Sequence, residues 1–221
     1  MLKDIALFAQ SVLHSIGVAR PRRDYWDTTD EKELNHVVAL LSHTNDPERV
    51  RVRAILNQLQ ARTLLDAGCG PATELAGYKQ AGMRIDYTGI DGSVRMLSHA
   101  RQRNPEARFV RGALEKLPFA DRSFEVVLLK HILEHQGDYR PLLREAVRVA
   151  DRAVIVNHFH RLLPLSFNIR LKDRRGFYNN WYSRPSFEGF VKSLGVRKVE
   201  HQWAPGASGQ TAEFYILHRA R

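Results

Sequence analysis

Leu64-Leu65-Asp66-Ala67-Gly68-Cys69-Gly70-Pro71-Ala72 is the stretch whose reading decides the fold. An apolar run of strand character ends in an acid, passes through a turn with two spaced glycines, and enters a helix-prone segment. In α/β proteins such a strand-turn-helix corner binds nucleotide-like ligands. Gly68 and Gly70 can take positive φ and let the backbone come close to a ligand. The spacing is G-x-G-x-A rather than the G-x-G-x-x-G of dinucleotide binders, which speaks against a nicotinamide-dependent dehydrogenase.

Outward from this corner, strand and helix signals alternate. Strands are expected at 62–66, 86–91, 107–110, 124–129, 152–158, 196–203 and 212–219, and helices at 71–81, 93–103, 138–149 and 185–194. Alternation of this kind implies parallel β-α-β units, hence a doubly wound α/β sheet of Rossmann-like type. The last two strands are joined through Pro205, Gly206 and Gly209 with no helix between, so they form an antiparallel hairpin at the C-terminal edge. Upstream, 30–42 and 46–60 read as two helices, with Asp30 able to cap the first and Asn45-Asp46-Pro47 opening the second. The division expected is an N-terminal helical cap over 1–61 and a sheet domain over 62–221. Residues 159–184 are an insertion too long for a plain loop, expected to contain helix and to act as a lid. The lid holds Phe159, Phe167, Phe177, Tyr178, Trp181 and Tyr182. Arg161, Arg170, Lys172, Arg174, Arg175 and Arg184 stand there against a single acid, Asp173.

Composition bounds the rest. The 221 residues carry 43% hydrophobic side chains, enough for a sizeable core in one large domain. No apolar run reaches the roughly 18 residues that span a bilayer. Leu2, Ile5, Phe8, Val12, Leu13 and Ile16 fall at helical spacing and read as a packing helix rather than a signal peptide. Cys69 is the single cysteine, which excludes an internal disulfide and fits a reducing cytoplasm. It reads as a small buried filler. The net charge of +10 attracts anionic partners, nucleic acid among them. The lysines and arginines are nevertheless scattered rather than gathered in one stripe.

One strand after Asp66, Asp91 ends the second strand, where an acid can accept hydrogen bonds from a ribose diol. Together with this acid, four segments resemble the class I S-adenosylmethionine-dependent methyltransferases of the small type 11 group. They are Leu64–Ala72; Gly89-Ile90-Asp91-Gly92-Ser93-Val94-Arg95-Met96-Leu97-Ser98-His99-Ala100-Arg101; Leu117-Pro118-Phe119-Ala120-Asp121-Arg122-Ser123-Phe124-Glu125-Val126-Val127; and His131-Ile132-Leu133-Glu134-His135. The resemblance covers about residues 60–160 and implies a seven-stranded sheet, S-adenosylmethionine as cofactor and methyl transfer as activity. It also implies a cofactor site made of Asp66, Gly68, Gly70, Asp91, Gly92, Met96, Ala113, Leu114 and Lys130. Asp91 would take the ribose hydroxyls, Met96 would pack on adenine or fill the core, and Leu114 would lie at the adenine edge. Where this family often has an acid for the adenine amino group, this chain has Ala113.

Methyl transfer is an in-line displacement, so alignment supplies much of the rate, and a base is needed when the acceptor is a weakly acidic hydroxyl or an ammonium. His131, just past a strand's carboxyl end, is the candidate base. The acceptor is expected to be a small molecule of aromatic or anionic character, methylated at oxygen or nitrogen. Tyr25, Trp26, His135, Tyr178 and Trp181 are expected to face it. An RNA acceptor and a non-catalytic cofactor-binding domain are the alternatives. His131-x-x-Glu134-His135 also has the H-x-x-E-H spacing of a zinc-peptidase class, with His158 and His160 nearby in the fold. The same string is ordinary for the family without metal, and no metal is expected.

Overall fold

The computed structural model describes residues 25–158, 162–171, 178–206 and 211–220. The apolar stretch at 2–16, the basic 20–23, and lid residues 159–161 and 172–177 lie outside the described residues, as do 207–210 of the C-terminal turn. The elements run α1 (Tyr25–Thr28), α2 (Glu31–Leu40), α3 (Pro47–Gln58), β1 (Thr63–Ala67), α4 (Thr73–Gln80), β2 (Asp86–Asp91), α5 (Val94–Arg103), β3 (Arg108–Arg111), β4 (Phe124–Lys130), α6 (Tyr139–Val149), β5 (Ala150–Asn157), α7 (Arg184–Ser193), β6 (Lys198–Pro205) and β7 (Thr211–His218). A turn of 3-10 helix at Leu133–His135 follows β4.

One seven-stranded sheet has the order β3-β2-β1-β4-β5-β7-β6. The first five strands in that order run parallel, and β7 is antiparallel to both β5 and β6. The expected C-terminal hairpin is therefore present. Because β1, β2 and β4 are parallel, their carboxyl ends at Ala67, Asp91 and Lys130 share one edge of the sheet.

Alternation along each strand feeds two apolar layers. Leu64, Val126, Leu128, Ile155 and Phe214 face α3, α4 and α5. Leu65, Val127, Leu129, Val154, Tyr215 and Leu217 face α6 and α7. Helix α3 contributes Val52, Ile55 and Leu56, each no more than 1% exposed, to the first layer, so the end of the N-terminal cap shares the core of the sheet. Burying each such side chain contributes about 1.5–3 kcal/mol.

The helix starts are set by polar caps. Asp30 accepts from Glu33 N at 2.8 Å, Asp46 from Arg49 N at 3.0 Å, Ser93 from Met96 N at 3.1 Å and Ser183 from Ser186 N at 3.1 Å. At α4 no side chain caps the helix, and its cap residue Ala72 sits in the left-handed region at φ 57°. The glycine turn stands there in place of a capping side chain.

The helix expected in the lid does not occur among its described residues before α7, and 159–161 and 172–177 lie outside them. Leu163 pairs with Ser183 and Ile169 with Trp181 in isolated bridges, and Asn179 N donates to Leu171 O at 3.0 Å. These amides find partners between the described lid segments, so they are not spent on helical bonds. The lid is pinned to the loop after β4. Asn180 N donates to Glu134 O at 3.0 Å, Asn180 Nδ2 to Gln136 O at 2.7 Å and Tyr182 OH to Leu133 O at 2.8 Å.

Candidate active site

The tips of β1 and β2 are joined by backbone and carboxylate. Gly68 N and Cys69 N both donate to Ile90 O, at 2.8 and 3.1 Å. Asp91 Oδ2 accepts from Gly70 N at 3.0 Å and Oδ1 from Ser93 N at 2.8 Å. Burial pushes the Asp91 carboxyl up while these amide bonds hold it down, and the balance lies above its ordinary value.

The two glycines of the turn have different jobs. A Cβ on Gly68 (φ +84°) would lie 2.3 Å from Ile132 Cδ1, so this glycine admits the loop after β4. A Cβ on Gly70 (φ +50°) would meet nothing within 4 Å, and one on Gly92 would find only Gly112 O at 3.9 Å. The crevice therefore opens at Gly70 and Gly92, on either side of Asp91. A carboxylate can accept about four hydrogen bonds, so Asp91 keeps acceptor capacity beyond the backbone amides that hold it. An open glycine edge beside a carboxylate with spare acceptor capacity fits a ribose-bearing cofactor.

Beneath this edge Asp66 is only 3% exposed and accepts from Tyr87 OH at 2.7 Å. Burial and the nearby Glu74 carboxylate raise its pKa to about 7. Cys69 is 7% exposed and abuts Gly89, where an added Cβ would stand 2.8 Å from Cys69 Sγ. Burial, with the Asp66 and Asp91 carboxylates, pushes its thiol well up. The filler reading agrees with this placement.

Met96 is 2% exposed and packs with Leu34 and Val38 under α2, which is a core position. Leu114 is 9% exposed and belongs to the layer facing α6, while Ala113 is exposed at the surface. Tyr25 and Trp26 stand at the β2 side. Their rings meet edge to face at 4.7 Å, and Tyr25 OH donates to Glu33 Oε1 at 2.7 Å. Asp27, between them and α2, accepts from Ser93 Oγ at 2.6 Å and from Arg95 N at 3.1 Å, bolting the cap to the start of α5.

At the β4 tip, His131 has φ +54°, a conformation that costs a non-glycine residue on the order of 1 kcal/mol. Its amide donates to Asn157 O at 2.9 Å, tying it to the end of β5. Its Nε2 lies 2.6 Å from Glu48 Oε2, and its Nδ1 lies 3.5 Å from Lys130 Nζ. Lys130 Nζ is also 3.8 Å from Glu74 Oε1, and Arg49 Nη1 bonds the same oxygen. Acids and cations thus alternate through Glu48, His131, Lys130, Glu74 and Arg49. His135 takes another direction, with its Nδ1 2.8 Å from Tyr178 O. Glu134 is buried against His158, Nδ1 to Oε1 being 3.3 Å. The H-x-x-E-H residues therefore diverge, and among the described residues no three His, Cys, Asp or Glu side chains gather as a metal site. Trp181 is 6% exposed within the lid, and Tyr178 flanks Gly137, a Cβ there falling 3.7 Å from its OH.

Sequence reasoning missed Glu48, Arg49, Glu74, Tyr87 and Asp27. The Asn-Asp-Pro helix start at 45–47 signals where Glu48 begins, but nothing in spacing joins it to His131.

Residues 65–155 match a family model described as a methyltransferase domain. A demethylmenaquinone methyltransferase of Beutenbergia cavernae is 33% identical over 199 residues, covering 79% of this chain and 80% of that protein. Another of Paenarthrobacter aurescens is 33% identical over 146 residues, covering 65% of this chain and 56% of that protein. The chain spans about half the length of the curated relatives that head the comparison. Among solved structures, the 1,6-didemethyltoxoflavin-N1-methyltransferase of Burkholderia thailandensis shares the fold at TM-score 0.63. It is 16% identical, covering 93% of this chain and 94% of that one. A sheet of this topology, an open glycine edge beside a ribose-competent carboxylate and these likenesses agree, and the chain belongs to the class I S-adenosylmethionine-dependent methyltransferase family.

Proposed function

We propose that this protein transfers a methyl group from S-adenosylmethionine to an oxygen or nitrogen of a small-molecule acceptor of aromatic or anionic character. The crevice between β1 and β2 carries the reading, with space at Gly70 and Gly92 and the Asp91 carboxylate between them. When bound, S-adenosylmethionine supplies an activated methyl on a sulfonium. Asp91 would hold its ribose hydroxyls, with the backbone of Gly70 and Gly92 alongside and Leu114 at the adenine edge. The tip of β4 borders the place where ligands bind in open α/β sheets. There His131 would take the acceptor's proton, and Lys130 would steady negative charge growing on the acceptor oxygen. Tyr178, pinned beside His135, would flank that site from the lid.

The relatives named demethylmenaquinone methyltransferase and the neighbours named for didemethyltoxoflavin and magnesium protoporphyrin IX support a small-molecule acceptor. A panel of phenols and aromatic amines, with S-adenosylmethionine and the full chain, tests this. Transfer to one of them supports the reading, and transfer to none of them while the protein methylates RNA overturns the acceptor class. The net charge of +10 favours RNA as the second reading. RNA binding would then weaken steeply with salt.

A further inference from the structure

His131 is placed by more than its own strand. Its amide is bonded to Asn157 O, its backbone sits in the left-handed region, and its imidazole is met from the far side by a side chain 83 positions earlier. That side chain is Glu48, at the start of α3. Asp46 caps α3 and Pro47 opens it, which fixes where Glu48 leaves the helix. The next residue, Arg49, is fastened to Asp46 Oδ2 at 2.7 Å and to Glu74, so the start of α3 is held against α4. Glu48 is 6% exposed, and its Oε2 lies 2.6 Å from His131 Nε2. The other ring nitrogen, Nδ1, faces Lys130 Nζ at 3.5 Å.

We propose that Glu48 is the positioning residue for His131: its carboxylate holds the imidazole with the proton on Nε2 and so leaves Nδ1 as the nitrogen that accepts a proton. The inference rests on the reading of His131 as the acceptor's base. An ionised carboxylate has only acceptors, so the nitrogen facing it must be the donor. A neutral imidazole has one N–H, and the lone pair then lies on Nδ1. In the reaction the acceptor's proton passes to Nδ1, Nε2 keeps its proton, and the imidazolium that forms is paired with Glu48. Lys130 Nζ stands on the Nδ1 side, 3.5 Å away. The arrangement makes a residue of the N-terminal cap part of the chemistry at the sheet edge.

The test uses the full chain with 15N-labelled histidine, and His131 assigned by its absence in His131→Gln. The imidazole nitrogens are recorded at pH 8 with saturating S-adenosylhomocysteine and without it. The wild type should show His131 as the Nε2–H tautomer. Glu48→Ala should shift it to a mixture, and Glu48→Gln, nearly isosteric and able to donate or accept, should do the same if the alanine variant folds poorly. An unchanged Nε2–H signature in a folded variant overturns the proposal. Kinetics with a phenol as the probe acceptor add a second readout. Glu48→Gln should lose about ten- to a hundred-fold in kcat, with the KM for S-adenosylmethionine within two-fold. Failure of the wild type to methylate this probe would count against the acceptor reading, while the tautomer still decides the role of Glu48.

Discussion

The amide of Gly70 donates to the carboxylate of Asp91 across 3.0 Å, joining the tip of β1 to the tip of β2 at the mouth of the crevice. Ser93 N binds the other carboxylate oxygen at 2.8 Å, so the side chain is aimed before any ligand arrives. Such preorganisation lowers the ordering cost of binding.

The two turn glycines should separate stability from binding. Gly68→Ala puts a Cβ into Ile132 and keeps a positive φ, and should cost about 2–4 kcal/mol in denaturant unfolding. Gly70→Ala meets no protein atom and should cost about 1 kcal/mol, a Tm drop of about 2–4 °C. Its Cβ projects into the open edge, so affinity for S-adenosylhomocysteine should fall about ten-fold or more. Equal loss of stability in the two variants would count against this assignment.

Asp66 gives a pH dependence of definite sign. Its folded pKa of about 7 lies above the ordinary 3.8, so the folded state binds more protons between those values. The contribution of Asp66 is therefore most favourable below about pH 4 and declines as pH rises to about 7. Asp66→Asn removes the charge and keeps an acceptor for Tyr87 OH. The variant should be more stable than wild type at pH 8, by on the order of 1–4 kcal/mol, and the gain should shrink towards pH 4. Urea unfolding at pH 8, 6 and 4 measures it, and a gain that grows on acidification contradicts it.

Glu134 has the opposite sign. Burial would raise its pKa, but His158 beside it, with His135 and His131, holds the carboxyl below its usual range. Its stabilising contribution is present above about pH 4.5 and is lost as pH falls below that. Glu134→Gln should destabilise the protein at pH 7 by about 3–5 kcal/mol, since one partner of a buried pair is removed. The acid limb of the stability curve should flatten as well. A variant as stable as wild type at pH 7 would remove Glu134 from the account.

Cys69 should be inert. With its thiol pushed up by burial and packed against Gly89, it should resist iodoacetamide at pH 8 in the folded protein and react only in denaturant. Rapid labelling of native protein would show the glycine turn to be open on the side where the structure closes it.

Much of the fold was legible because local signals agreed. The expected strand at 86–91 is β2 to the residue, 124–129 stops one residue short of the end of β4, and 212–219 is shifted by one residue from β7. Apolar runs bounded by turn residues give that precision. At β5 the strand starts earlier than the expected 152, because Ala150 ends α6 and enters the sheet with no loop between. In the lid the helix expected from length is absent among the described residues, whose amides pair between lid segments and onto the loop after β4, contacts that no local pattern encodes. Asp91 and Gly70 were legible from their place at strand ends. Glu48 with His131, Arg49 with Glu74, and Asp27 with Ser93 were not. Each joins residues far apart in sequence through side chains, and spacing carries no trace of such pairs.

Titration calorimetry of S-adenosylhomocysteine into the wild type and Asp91→Ala tests the central claim most directly. The account predicts saturable one-to-one binding by the wild type, none of NAD, and a loss of about ten- to a hundred-fold in the variant, the worth of hydrogen bonds to a charged group. No binding by the folded wild type, or equal affinity in the variant, would contradict it.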